Sequence, residues 1–460
     1  MRQLQNKQAA IIALVGITSL FFFGYYINRS NSFSLFIVYA ILTGLFLYVF
    51  PFWKSFLSPK LAFKQVLVIG IVFRFVLLFS TPNLSDDYYR FIWDGELVSS
   101  GNNPYKFKPV DQMFASPKDE INLKDRVYYK LNSKEYYSVY PPVDQFFFGL
   151  VAYASGNNSF QFIVLLRLLL IGFDIGVILI LAKLLKWFNK KRELVVLYAL
   201  NPLVVTELTG NLHFEGVTLF FVLTSIWFVI QKRHIQAGLL YALAICTKLV
   251  PLLLLPFFIY RMNWKPLMVF YTVIGLFTVM LFVPFSDVNL LETMGSSIGL
   301  YFHSFEFNAS IYYLFREIGF KIYGYNQIEN IGKIGQVIVL ISSILLLIKN
   351  RHRKEFNNMF SFFVWMLLIY YALASIVHPW YIIYLLTLSI FTNLKFPLVW
   401  SFLVVLSYYA YRDVGVVNES YWLIWFEYSV LLGAVVWDLL NLRKQSSLRI
   451  RESNEAISPS

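Results

Sequence analysis

Ser85-Asp-Asp-Tyr-Tyr-Arg-Phe-Ile-Trp-Asp-Gly95 begins a few residues after the apolar run from Leu61 to Ser80 ends. Such a run of about 20 residues is long enough for a helix to cross the hydrocarbon core of a bilayer. The acidic pair Asp86 and Asp87 is therefore expected at or just above a membrane surface, where charged groups are usually either solvated or functional. Three acids, an arginine and several aromatic residues on one side of a membrane predict the wall of an active site. The alternative is a solvated loop that merely ends the preceding helix.

The composition is that of an integral membrane protein. The chain has 460 residues, of which 58% are hydrophobic and only 14% charged, whereas soluble domains carry about 25% charged residues. Apolar runs recur through almost the whole length and predict bundled transmembrane helices rather than a barrel. The net charge of +13 is expected from basic cytoplasmic loops, so no nucleic-acid partner is predicted. The single cysteine, Cys246, excludes an intramolecular disulfide.

The predicted fold is an all-α polytopic membrane protein with about 12–14 transmembrane helices. Residues 1–440 are expected to form one membrane domain, and residues 441–460 a basic cytoplasmic tail. The candidate spans are 9–27, 33–53, 61–80, 160–186, 194–210, 213–230, 235–259, 266–285, 334–348, 359–377, 379–392, 396–411 and 421–440. The first of them is long for a signal peptide and lacks a clear cleavage site, so it is expected to remain as an anchor.

The clusters of lysine and arginine predict the orientation of the spans. Placing these clusters in the cytoplasm puts both termini inside and residues 81–141 and 286–333 in two outer loops. The expected location is the inner or plasma membrane of a bacterium, with the active site on the periplasmic or extracytoplasmic face.

Two segments do not fit simple crossings. Residues 142–155 are too few to span a bilayer comfortably, and a crossing there would move the basic cluster 190–192 outside, so a surface helix is predicted. Residues 235–259 lie between two basic signals, and Lys248 and Pro251 in their middle predict two short helices joined by a turn. Twelve full crossings result, or fourteen if the second segment crosses twice.

The first outer loop holds the residues predicted to be catalytic and most of those predicted to bind substrate. Adjacent carboxylates can divide labour: one takes a proton from an acceptor hydroxyl, and the other orients the first carboxylate or binds a cation. Asp86 is favoured as the base because it is nearer the membrane, and Asp87 is expected to orient partners. The predicted substrate-binding residues of this loop are Arg90, Trp93, Asp94, Asn103, Tyr105 and Tyr140.

Four further polar residues near span ends are candidates for substrate binding. His213 and Glu215 either contact substrate or form a polar hairpin between two spans. Lys248 is ionisable and lies within an apolar run, which favours a function over a snorkelling side chain. His378 precedes Pro379 in a predicted outer turn and either binds phosphate or caps the turn.

Another polar pair lies within a predicted span. Arg167 and Asp174 share one face of the 160–186 span and predict structural ion pairs with neighbouring helices.

The acidic pair, Trp93-Asp-Gly95, Gly101-Asn-Asn-Pro-Tyr105 and Tyr140-Pro-Pro142 together resemble the GT-C superfamily of integral membrane glycosyltransferases. The likeness is greatest to mannosyltransferases that use polyprenyl-phosphate mannose. It implies a polyprenyl-phosphate sugar donor, a lipid-linked or cell-envelope glycan acceptor, inverting transfer and a base among the acids of the first loop. Some members hold a metal between acids, but the pair here is adjacent rather than separated. No metal ligand or cofactor is therefore assigned, and a divalent cation remains an alternative.

The rival hypothesis is a transporter or flippase for a lipid-linked saccharide. Many spans, broken helices and Lys248 in an apolar run suit a transporter as well. Transporters often contain paired halves, however, and no matching interrupted segments occur in the two halves of this chain. A non-catalytic assembly subunit is a third hypothesis.

Overall fold

The computed structural model of the chain describes residues 2–50, 61–115, 127–287, 289–303, 305–351, 356–413 and 415–457. Regular structure in these ranges is helical, and the only pairing of extended backbone there is an isolated bridge between Phe307 and Ile376. The fold is therefore an all-α polytopic membrane protein, as the sequence predicts.

The helices follow the apolar runs of the sequence closely. The first nine are α1 (Arg2–Tyr25), α2 (Ser32–Val49), α3 (Phe63–Val76), α4 (Asp87–Ser99), α5 (Pro109–Ala115), α6 (Pro142–Ser155), α7 (Ser159–Trp187), α8 (Val196–Ala199) and α9 (Pro202–Val204). The others are α10 (Glu215–Ile230), α11 (His234–Ile245), α12 (Trp264–Phe282), α13 (Leu290–His303), α14 (Ile311–Tyr323), α15 (Ile328–Asn350), α16 (Asn357–Leu373), α17 (Ile382–Ser389), α18 (Phe396–Leu403) and α19 (Tyr421–Ile457). Short 3-10 or π turns cover Arg192–Val195, Val205–Gly210, Val250–Leu253, Leu255–Tyr260, Val283–Phe285, Pro379–Tyr381 and Val404–Tyr411.

Within the described ranges, five helical segments are long and apolar enough to cross a membrane. They are Ser32–Val49, Ser159–Trp187, Trp264–Phe285, Ile328–Asn350 and Tyr421–Gln445. Residues 192–199 and 202–210 form a sixth if this pair, bent by 58°, is one span. Most of the other predicted spans are shorter apolar helices, so the total of 12 to 14 crossings stays a prediction. Helix α19 continues through Ile457, and the assignment of residues 441–460 to a cytoplasmic tail stays a prediction.

The two irregular segments have the predicted local structure. Residues 142–155 form the 14-residue helix α6, and its place on the membrane surface stays a prediction. The 235–259 segment is broken, because α11 ends at Ile245 and 3-10 turns follow from Val250. The backbone N–H of Val143 donates to the carbonyl of Cys246 at 3.0 Å. This bond places the first turn of α6 against the break that carries Lys248.

Buried arginines hold the ends of several helices together. Arg74 is fully buried and pairs with Asp174 at 2.5 Å. Asp174 thus forms the structural ion pair with a neighbouring helix that the sequence predicts. Arg167 instead donates to four backbone carbonyls, those of Leu78, Ser80, Thr209 and Gly210, at 2.6–3.1 Å. A guanidinium has five N–H donors and can satisfy several carbonyls at once. It thereby fixes the end of α3 and the turn that leads to α10.

Helices α4 and α6 approach each other closely through two glycines. A Cβ built on Gly95 would lie 2.6 Å from the carbonyl oxygen of Phe148, and one on Gly149 would lie 2.4 Å from a methyl carbon of Val98. Because the atom opposing Gly95 belongs to the backbone, no side-chain rotation can relieve that clash. The contact keeps the acid-bearing helix α4 in a fixed position over α6.

We expect Gly95→Ala to destabilise the fold by about 1–3 kcal/mol, because the added methyl overpacks the α4–α6 contact. The matched control is Gly172→Ala in α7, where a Cβ would meet no atom within 4 Å. Thermal unfolding of the purified protein measures both variants. Equal unfolding temperatures for Gly95→Ala and the control would contradict the close contact between α4 and α6.

Candidate functional site

The two predicted catalytic acids lie at the N-terminus of α4 and have different surroundings. Asp86 is the N-cap residue and forms an ion pair with Arg29 at 2.5 Å. Arg29 comes from the short link between α1 and α2, and its guanidinium also lies 5.0 Å from the ring centre of Tyr411. The charge of Asp86 is therefore balanced by a direct partner.

Asp87 is the first residue of α4 and is half-buried. Its carboxylate accepts one long hydrogen bond, from the amide of Asn132 at 3.5 Å. Burial raises the pKa of Asp87 above its ordinary value, and the positive charge of Lys248 opposes that shift. Asp87 is thus an acid near a cation, and it forms no close ion pair within the described residues.

Arg90 and Asp94 bind each other and the rest of the loop. The Nε atom of Arg90 is 2.7 Å from Asp94, and Nη1 donates to the carbonyls of Ser133 and Tyr136. Asp94 is fully buried and also accepts hydrogen bonds from Ser138 and Gln145. The structure thus commits both predicted substrate-binding residues to protein partners, and this network ties α4 to the 133–138 stretch and α6. A buried ion pair of this kind explains their charges without a ligand.

The other predicted residues of this loop also make internal contacts. Trp93 is buried beside the ring of Tyr128, with ring centres 6.1 Å apart. The side chain of Asn103 donates to the carbonyl of Phe285 at 2.8 Å, and the hydroxyl of Tyr105 donates to the carbonyl of Tyr140 at 2.6 Å. Asn103 and Tyr105 therefore fasten the loop to the end of the Trp264–Phe285 segment and to the Tyr140-Pro-Pro142 stretch.

Lys248 is the cation around which several acidic groups gather. Its Nζ atom lies 3.4 Å from Glu215 and 5.8 Å from the ring centre of Tyr140, and its side chain is 24% exposed. Its charge also acts on Asp87 and on Asp144, the third residue of α6. We call these five residues the polar centre. Its members come from α4, the entry to α6, α6 itself, the start of α10 and the break after α11.

A stack of aromatic rings stands beside the polar centre. The ring of Trp380 stacks on those of His213 and His378, with centres 3.8 and 4.3 Å apart. His213 lies 3.5 Å from Glu207, a buried acid that also accepts a hydrogen bond from Tyr408. Burial, helped by the charge of Lys248, lowers the pKa of His378 to about 3. A neutral imidazole supplies no positive charge but can donate an N–H hydrogen bond, and the binding role of His378 stays a prediction.

The structure thus unites Asp87, Tyr140, Glu215 and Lys248, with His213 and His378 in the adjoining ring stack. Sequence reasoning missed several residues of this region: Arg29, Asp144, Glu207 and Trp380. Asp144 had a usable signal, since it comes two residues after Tyr140-Pro-Pro142 at the start of a helix. Arg29 had none, because its partner Asp86 is 57 residues away. In the described part of the chain, no three His, Cys, Asp or Glu side chains form a group that could hold a metal ion.

Fold and site together define a polytopic membrane protein with an acid-rich polar centre at the ends of its helices. The chain belongs to the alpha-(1->6)-mannopyranosyltransferase family, because the sequence model of that family's N-terminal domain matches residues 18–263, just over half of the 460 residues. It is therefore a glycosyltransferase, in agreement with the GT-C resemblance. The matched range includes the whole polar centre but ends before His378 and Trp380. No curated protein matches the chain.

We expect Arg90→Met to destabilise the protein by about 3 kcal/mol, because it leaves the buried carboxylate of Asp94 without its cation. The released loop should also become sensitive to protease added to the intact protein. Lys106→Met is the matched control, since Lys106 is 53% exposed and lies 3.7 Å from Asp287. An Arg90→Met protein with the thermal stability and protease resistance of the control would show that the network does not hold the loop.

Proposed function

We propose that this glycosyltransferase moves a mannosyl group from a polyprenyl-phosphate donor to a hydroxyl of a lipid-linked or cell-envelope glycan, with inversion, on the outer side of the membrane. The observation that supports the proposal is the proximity of an acid and a cation in the polar centre. A half-buried acid without an ion-pair partner, Asp87, lies near a partly exposed lysine, Lys248. Transfer from a sugar phosphate needs one group of each kind, a base and a cation.

Asp87 is the better candidate for the base, in contrast to the sequence-based preference for Asp86. The 2.5 Å ion pair with Arg29 occupies one oxygen of Asp86. That oxygen is engaged with a guanidinium and is less available to an acceptor hydroxyl. The raised pKa of Asp87, caused first by burial, makes it more basic. We assign proton transfer to Asp87 and the positioning of the N-terminal turn of α4 to Asp86.

In the proposed step, the oxygen of the acceptor hydroxyl attacks the anomeric carbon of the donor sugar. The bond between that carbon and the phosphate oxygen breaks, and its electron pair leaves with the lipid phosphate. Asp87 takes the proton of the attacking hydroxyl. A single displacement of this kind inverts the anomeric centre and requires no covalent enzyme intermediate.

The negative charge that develops on the departing phosphate requires a nearby cation. Lys248 is assigned this role, because its side chain is partly exposed and its charge already acts on Asp87. Arg90 is engaged with Asp94 and His378 is neutral, which leaves Lys248 as the favoured residue among the three cations predicted from sequence. Its ion pair with Glu215 at 3.4 Å is longer than a tight contact, so a phosphate oxygen can compete for the ammonium group.

The outer location of the site follows from the arrangement of basic clusters in the sequence and is part of the proposal, as are the cytoplasmic termini and the bacterial inner membrane. The polyprenyl donor fits a site at the ends of membrane helices, because its tail remains in the bilayer while its headgroup reaches α4. The family match favours transfer over the rival transporter or flippase hypothesis.

We expect Asp87→Asn to lower the transfer rate by about 10²–10⁴-fold, because general-base assistance is worth that much. Asp86→Asn should lower it less, since Asp86 acts through position. Mannosyl transfer from polyprenyl-phosphate mannose is measured with purified protein in nanodiscs, and Asp111→Asn, at an exposed position in α5, is the matched control. If both Asn variants of the pair transfer at nearly the wild-type rate, the catalytic assignment of this loop is wrong.

The pH profile of kcat/KM tests the same assignment independently. Only ionised Asp87 can accept a proton, so activity should be complete at higher pH and fall as pH drops through the raised pKa of this group. Replacing Lys248 by Met removes a charge that lowers this pKa, and the acidic limb should move to higher pH. Asn132→Ala should move it in the same direction, because its hydrogen bond also favours the ionised form. An acidic limb unmoved in both variants would exclude Asp87 as its source.

A further inference from the structure

Two carboxylates of the polar centre are buried with few protein partners. Asp144 is fully buried, and neither of its oxygens has a hydrogen-bond partner among the described residues. Glu215 is 1% exposed, and its side-chain partner among those residues is Lys248, whose Nζ atom lies 3.4 Å from one of its oxygens. A buried polar group without partners is costly and usually indicates water, an ion or a ligand.

The other buried acids of the described chain show that this arrangement is exceptional. Each of them accepts at least one hydrogen bond from the protein. The acids and their donors are Asp94 with Arg90, Asp174 with Arg74, Glu207 with Tyr408, Glu427 with Trp400, and Asp438 with the backbone of Phe396. These five carboxylates each have a protein donor, although one oxygen of Asp174 has none among the described residues, whereas Asp144 has no donor there and Glu215 has Lys248 at 3.4 Å.

Asp144 and Glu215 both lie near Lys248, although they are 71 positions apart in the sequence. The Val143–Cys246 bond holds the first turn of α6, which contains Asp144, against the break that contains Lys248. Burial raises the pKa of Asp144, the charge of Lys248 opposes this shift, and the charge of Glu215 adds to it. Both acids are therefore within range of the charge of the same ammonium group.

The charges of Lys248, Asp144 and Glu215 indicate which class of ligand could bind beside them. A metal cation would be repelled by Lys248, and a phosphate would meet two acids at the positions of Asp144 and Glu215. An uncharged molecule with several hydroxyl groups fits, because each hydroxyl can donate to a carboxylate oxygen and accept from the lysine. The ring of Tyr140, next to Lys248, adds a flat apolar face of the kind on which a sugar ring can lie.

We propose that Asp144 and Glu215 bind hydroxyl groups of the transferred sugar. This inference rests on the proposed function and deepens it. Recognition of the sugar is then separate from the base Asp87, and Lys248 lies between the sugar hydroxyls and the departing phosphate. Asp144 becomes a specificity-determining residue, because a sugar lacking the matching hydroxyl would leave its carboxylate buried and unpaired.

The test compares two lipids that differ only in the sugar. Binding of polyprenyl-phosphate mannose and of bare polyprenyl phosphate is measured with the full-length protein in nanodiscs, for wild type, Asp144→Leu, Asp144→Asn and the control Asp111→Asn. We expect Asp144→Leu to weaken binding of the mannosyl lipid by about 10–100-fold, the range for hydrogen bonds to a charged group. Binding of the bare lipid should be unchanged, and Asp144→Asn should restore part of the loss.

Thermal unfolding separates this role from a structural one. Asp144 is buried and accepts no hydrogen bond from the described residues, so removing its carboxylate relieves a desolvation cost that offsets the lost interaction with Lys248, and Asp144→Leu should be as stable as wild type or more stable. Loss of stability together with loss of affinity for both lipids would assign Asp144 to the fold and overturn the inference. Wild-type affinity of Asp144→Leu for the mannosyl lipid would mean that only water binds beside Asp144.

A third measurement does not depend on the lipid donor. Methyl α-mannoside at high concentration should raise the unfolding temperature of wild type and have no effect on Asp144→Leu. If wild type transfers no mannose but shows this difference, the proposed donor is wrong and the sugar site stands. If the sugar stabilises both proteins equally or neither, the sugar site is wrong, whatever the donor is.

Discussion

The placement of Lys248 is the constraint on which the site depends. An ammonium group at the end of a membrane helix must be balanced by nearby acids or reach water, because the surrounding dielectric is low. The chain meets this requirement by breaking its helix after Ile245 and placing the lysine beside Glu215, with Asp87 and Asp144 within range of its charge. One cation among three acids leaves the centre rich in hydrogen-bond acceptors.

A rigid frame holds this balance in place. Arg167 gathers four backbone carbonyls and fixes the turn before α10, which begins with Glu215. The glycine contact between α4 and α6 and the network around Asp94 fix the helices that carry Asp87 and Asp144. Arg90 and Asp94, which the sequence predicts to bind substrate, form part of this frame. The frame positions the acids of the polar centre.

The division of labour between neighbouring acids follows from their partners. Asp86 and Asp87 are equivalent in sequence, yet Arg29 pairs closely with the first, whereas the second accepts a long hydrogen bond from Asn132. Burial disfavours the ionised form of an acid. The same fold thus engages one aspartate with a guanidinium and raises the pKa of the other.

The sequence by itself determined the all-α membrane fold, the helix α6 and the break at Lys248, and it predicted a catalytic role for the acidic pair. These features depend on local properties: the length of apolar runs, the effect of proline on a helix, and the cost of charge near a membrane. Only the tertiary structure decided which charges remain available for binding. Asp86 and Lys248 pair with residues from distant segments, Arg29 and Glu215. Asp94 pairs with Arg90, one of several charged residues near it in the sequence. No local pattern specifies these partners. The free energy of a buried charge depends on all groups around it, and that set exists only once the helices have packed.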